Sequence, residues 1–149
     1  MNWNSIEDVM RFAIRKEADA AAFYRMAADR SNPGVKTMFE ELARMEDGHK
    51  RKLEGFDPKQ IGKMALKKKE GLGIAEIIED VPFSSDMSYA DLLRMAIKNE
   101  EKAEQLYTGM AKWVTDPPLK KLLTMLAQDE TGHKKKLEKI YDDEVLEEF

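Results

Sequence analysis

The sequence predicts an all-α protein, a four-helix bundle made of two repeated helical hairpins joined by one long crossover. Three observations predict it. Gly and Pro are scarce, at 8 and 5 of 149 residues, while Ala, Leu, Met, Glu and Lys abound, as in long helices. Helix-entry signals recur along the chain, two of them an Asx-Pro step. Finally, the second half repeats the first. Arg11–Tyr24 and Arg94–Tyr107 share six of fourteen residues, and Ser31–Glu54 shares eleven of twenty-four with Thr115–Glu138.

Each element has its own start and stop. Ser5, with Asp8 three residues on, reads as a capped start to a first helix that runs to about Arg30. Asn32-Pro33 opens the second, since Asn is a good N-cap and Pro is tolerated at the first helical position. It stops at Gly55. Ser88 with Asp91 opens a third helix, continuing to about Val114, and Asp116-Pro117-Pro118 begins a fourth that reaches the acidic tail. The chain thus reads as one domain over 1–149: hairpin 5–54, crossover 55–87, hairpin 88–140 and tail 141–149. The crossover is less regular, with amphipathic pieces near Pro58–Lys69 and Ile74–Glu79 separated by Gly71 and Gly73. At 33 residues it far exceeds a hairpin turn. It is long enough to run the length of the bundle, roughly 37 Å, which would set helices two and three parallel.

Composition removes several functions. No cysteine means no disulfide, no thiolate metal site and no thiol nucleophile. No apolar run spans a membrane and no secretory leader opens the chain, so a cytoplasmic protein is expected. With 25 Lys+Arg against 29 Asp+Glu, the net charge of −4 argues against nucleic-acid binding.

The informative feature is what interrupts the apolar stripes. Met10, Ala13, Glu17, Ala20, Tyr24 and Ala27 recur every three or four residues, as do Leu93, Ala96, Glu100, Ala103, Tyr107 and Met110. The even helices carry Phe39, Leu42, Glu46, His49 and Leu53, matched by Leu123, Leu126, Glu130, His133 and Leu137. Four glutamates and two histidines therefore point inward. Their heights agree too, because the midpoints of Glu17/Glu46 and of Glu100/Glu130 both fall at the predicted turns. All six belong to one layer, roughly 21 Å from those turns.

Four buried carboxylates at one height repel each other and lose their hydration, which is costly unless they are paired or metal-bound. No Lys or Arg lies on a stripe in that layer. Two divalent cations would cancel the charge, with carboxylates bridging and each histidine giving a nitrogen. The Glu-x-x-His spacing sets both ligand groups on one helix face, and two such motifs facing two further glutamates form the di-metal carboxylate pattern of bundles. Tyr24 and Tyr107 read either as core residues with bonded hydroxyls or as partners of the ligand carboxylates. Gly48 and Gly132, beside the histidines, suggest close helix approach. The lysine-rich runs 50–52, 67–69 and 134–136 read most simply as solvated faces.

On Glu17, Glu46-x-x-His49, Glu100 and Glu130-x-x-His133, with Tyr24 and Tyr107 seven residues after the unpaired glutamates, the chain resembles the ferritin-like superfamily. Within it the likeness is to rubrerythrin-like di-iron proteins, over all four helices. The resemblance implies two iron ions bridged by Glu46 and Glu130, with Glu17 and Glu100 as terminal ligands and one histidine on each ion. Two departures stand out. The chain has no cysteine for the rubredoxin domain that usually serves as built-in electron donor, and Ala103 occupies the place of an extra glutamate. Glu101 and Glu104 are the nearest carboxylates that could substitute for it.

The expected function is that of a di-iron oxidoreductase acting on peroxide or dioxygen, with electrons returned by an external donor protein. The alternatives are a ferroxidase or iron-storage protein, the latter requiring a homo-oligomeric shell, and a non-catalytic metal-binding protein. Ligand type alone does not separate iron from manganese or zinc.

Overall fold

The computed structural model describes residues 5–56 and 86–145, which form four helices: α1 (Ile6–Asp29), α2 (Pro33–Glu54), α3 (Tyr89–Trp113) and α4 (Pro117–Glu144). Each starts at its expected cap. Ser5 Oγ accepts from the Asp8 N–H at 3.2 Å, and Asn32 Oδ1 accepts from the Val35 N–H at 3.1 Å. Ser88 Oγ takes the Asp91 N–H at 3.1 Å, and Asp116 Oδ2 takes that of Leu119 at 3.0 Å. Each bond satisfies an amide that would otherwise lack an intrahelical partner, and contributes about 1 kcal/mol. Gly55 ends α2 with φ −70°, so this stop does not use the left-handed conformation open to glycine.

Within each hairpin the two backbones run close along their length, whereas α1 and α3, and α2 and α4, come close at only a few positions and meet mainly through side chains. Two buried hydrogen bonds give the relative direction. Tyr24 reaches from α1 to Glu100, and Tyr107 reaches from α3 back to Glu17. A step up α1 therefore matches a step down α3. Antiparallel α1 and α3, each antiparallel to its own hairpin partner, leave α2 and α3 parallel. The ends agree: Arg30 after α1 donates to the Met87 carbonyl at 2.7 Å, while Phe56 packs at the opposite end near Met10 and Leu53. Phe56 and Met87 therefore lie at opposite ends of the bundle. The path between them, with the expected amphipathic pieces, Gly71, Gly73 and Lys67–Lys69, lies outside the described residues, as does Trp3.

Two apolar clusters fill the interior. One gathers Ile6, Met10, Leu53, Met110, Trp113, Leu119 and Leu123. The other gathers Ala27, Val35, Phe39, Leu42, Leu93, Ala96 and Leu137. Burial of each large side chain contributes roughly 1.5–3 kcal/mol. The buried face is wider than the expected stripes, since Phe12, Ala21, Ala28, Met95, Leu106 and Ala111 are buried as well. Among the described residues, no helix is long and apolar enough to cross a membrane.

The mid-helix glycines do not mark close approach. A Cβ built on Gly132 would meet nothing within 4 Å, and one on Gly48 only the Arg51 guanidinium at 3.9 Å. That expectation is corrected: a Cβ would have room at both positions, with no other helix pressed against either glycine.

Candidate metal centre

Between the apolar clusters lies the polar layer. Glu17 comes from α1, Glu46 and His49 from α2, Glu100 from α3, and Glu130 and His133 from α4; each is at most 5% exposed. The structure brings all six together. His49 Nδ1 lies 3.0 Å from Glu130 Oε1 and 3.5 Å from Glu17 Oε2 and Glu46 Oε1. His133 Nδ1 lies 3.3 Å from Glu46 Oε1 and 3.5 Å from Glu100 Oε2 and Glu130 Oε1. The two imidazoles stack, 5.9 Å between centroids and 9° between planes.

At least one atom of each residue is buried without a hydrogen bond: Glu17 Oε2, Glu46 Oε1, Glu100 Oε2, Glu130 Oε1 and the Nδ1 of both histidines face one another, and His133 Nε2 is unbonded as well. Orphaned buried polar atoms are rare and costly. Facing one another, these six offer a set of donor atoms that could hold cations. They form two overlapping quartets, Glu17–Glu46–His49–Glu130 and Glu46–Glu100–Glu130–His133, with the potential ligand atoms of each within 4.8 Å of one another. Glu46 and Glu130 belong to both, which is the placement a bridging carboxylate needs. Imidazole and carboxylate donors suit iron, manganese or zinc.

The remaining oxygens of Glu17 and Glu100 are held from the opposite hairpin. Tyr24 Oη donates to Glu100 Oε1 at 2.5 Å, and Tyr107 Oη donates to Glu17 Oε1. Each bond turns the second oxygen inward. Burial, reinforced by nearby carboxylate charge, raises both phenols well above their usual range, so they stay neutral donors.

Electrostatics without metal point the same way. Burial first, then the charges of Glu100 and Glu17, push Glu46 up to about 7, against a downward pull from His133. Glu130 also rises well above the usual carboxylate range, from burial and then from Glu100, Glu46 and Glu17. Burial alone would lower the histidines, yet Glu17 and Glu46 raise His49, and Glu100 and Glu46 raise His133 to about 10. The cluster binds protons where it lacks other cations.

Asp129 also belongs here, although it lies off the apolar stripes that predict the other six. Its Oδ2 lies 3.1 Å from His49 Nε2, linking α4 to α2 outside the ligand layer. It falls off the apolar stripe because it directly precedes Glu130; an acidic residue just before a Glu-x-x-His motif was the available signal.

A cavity of about 320 Å³ between α1 and α3 leads down to Glu17, Glu46, Glu100 and Glu130. Its walls pair across the repeat: Phe12 with Met95, Ala20 with Ala103, Phe23 with Leu106. Ala20 and Ala103, expected in the core, are half-buried because they face this opening. Neither candidate substitute for the extra glutamate joins the cluster. Glu101 pairs with Lys134 at 3.7 Å, and Glu104 lines a separate groove with Thr108 and Lys112. Lys136 pairs at 4.0 Å with Glu41, at an exposed position, as a solvated face requires.

Comparison with known proteins agrees with this geometry. No curated protein matches the chain. The fold is shared with a structure from Thermotoga maritima described as a ferritin-like diiron-carboxylate protein. That likeness has a TM-score of 0.70 and 22% identity, and covers 91% of this chain and 93% of the other. The family model described as Rubrerythrin matches residues 8–79 and 91–148, which takes in all six residues of the cluster together with Tyr24, Tyr107 and Asp129. The chain belongs to the rubrerythrin family.

Proposed function

We propose that this protein holds two iron ions in the six-residue cluster and acts as an oxidoreductase on peroxide or dioxygen, re-reduced by an external donor protein. The observation that carries the reading is the set of six buried, unbonded ligand atoms arranged as two quartets that share Glu46 and Glu130. Bound there, a ferrous pair supplies the two electrons that peroxide reduction needs. The residues themselves do the positioning. Tyr24 and Tyr107 fix the rotation of Glu100 and Glu17, and their hydroxyls, neutral at physiological pH, hold protons beside the layer. The apolar clusters keep bulk water from either end, and the α1–α3 cavity gives a small oxidant one broad approach.

Anaerobic ferrous loading, metal analysis and rapid mixing with peroxide or oxygen test the reading. Uptake of two ions per chain, followed by rapid oxidation, is the expected result. No uptake would end it. A ferroxidase reading is favoured by one observation: with Ala103 lining the cavity and Glu101 paired to Lys134, no seventh carboxylate among the described residues joins the six. Iron would then be substrate as well as cofactor, and storage would require a shell-sized assembly on a sizing column.

A further inference from the structure

We propose that the two metal positions are inequivalent. Asp129 orients His49 as a ligand, so the Glu17–Glu46–His49–Glu130 quartet fills before the Glu46–Glu100–Glu130–His133 quartet. The inference rests on the di-metal reading above.

The sequence repeat makes the comparison internal to the chain. The register that lays Glu46 on Glu130 and His49 on His133 lays Met45 on Asp129. The ligands are thus duplicated while the residue before each glutamate is not. Asp129 Oδ2 sits 3.1 Å from His49 Nε2, where a carboxylate accepts the Nε2–H. That bond fixes the tautomer whose Nδ1 lone pair faces Glu17, Glu46 and Glu130, the form a metal ligand needs, and it holds the ring plane. Among the described residues, His133 has no equivalent carboxylate partner. Its Nε2 is buried without a hydrogen-bond partner among the described residues, and Met45, which occupies the corresponding place, is 39% exposed and has no charged acceptor. For His133 to ligate through Nδ1 it must carry an unpaired N–H at a buried Nε2, an arrangement that costs free energy which His49 does not lose. Carboxylate partners of ligating histidines typically change metal affinity about 10- to 100-fold. A difference of that size separates two otherwise duplicate positions.

The asymmetry bears on chemistry. The His133 position is the one from which an ion is more readily lost, and the His49 position is the one that stays loaded.

Titration of the metal-free full chain with Co2+, followed by calorimetry and by the visible spectrum of the bound ion, tests the proposal. The expected wild-type result is two steps, the first about 10- to 100-fold tighter. Asp129→Met, which gives both halves the same residue, should weaken the first step toward the second while two ions still bind. Asp129→Asn keeps an acceptor oxygen and should restore most of the difference. Met45→Asp should tighten the second step, and this variant decides the matter if Asp129→Met loses its helical circular dichroism. Two ions binding with equal affinity in the wild type, unchanged by Asp129→Met or by Met45→Asp, would overturn the inequivalence and leave the di-metal reading intact. No Co2+ and no Fe2+ bound by the wild type would overturn both.

Discussion

Glutamates 46 and 130 occupy the centre of the layer, each within reach of both histidines. Removing either takes a ligand from both quartets at once. Glu46→Ala or Glu130→Ala should therefore abolish paired metal binding, read as loss of two-ion stoichiometry in metal analysis. Tyr24→Phe removes only a bond to the outer oxygen of Glu100. It should keep both ions and alter the oxidation rate, because outer partners tune a site that the ligands hold. Loss of metal by Tyr24→Phe as complete as in Glu46→Ala would contradict that division. The six cluster residues were legible in the sequence because each breaks an otherwise apolar stripe, and the turn positions fix their heights. Asp129 was not, since it lies off its helix's stripe and acts on a histidine of another helix.

At the scale of the helices, local chemistry and tertiary context part company. All four starts were legible, because an N-cap bond forms within three residues and depends on nothing distant. The role of Gly48 and Gly132 was misread, because whether a neighbour fills the space beside a glycine depends on how helices are set apart. With nothing within 4 Å of a Cβ at Gly132, Gly132→Ala should stabilise the protein by about 0.5–1 kcal/mol, seen as a Tm higher by roughly 1–4 °C. Between α1 and α3, by contrast, space opens into a cavity lined by Ala20 and Ala103. Ala103→Phe should fill the entrance and slow oxidation by peroxide in stopped-flow mixing, with two ions still bound. An unchanged rate would mean that the oxidant enters elsewhere.

Across the whole molecule, the bundle places a charged layer between two apolar plugs, so its stability is tied to what neutralises that layer. In the metal-free protein protons do so. Glu46 rises to about 7 on folding and Glu130 rises with it, so the folded state holds more protons than the unfolded chain over that interval. Stability from Glu46 is fully present below about pH 4.5, its ordinary value, and is lost as pH climbs through 7, and Glu130 acts in the same direction. His133, raised from 6.5 to about 10, acts with the same sign over a higher window, and His49 shifts in the same direction. The metal-free chain should therefore remain helical and melt at a higher temperature at pH 5.5 than at pH 7.5. The loaded protein should show the reverse, because protons compete with metal for the same glutamates and histidines. Opposite slopes of Tm against pH for the two forms are the expected outcome of paired thermal melts. A metal-free chain that is unfolded at both values, or that loses stability on acidification as the loaded form does, would mean that the layer is not held together by the cations it binds.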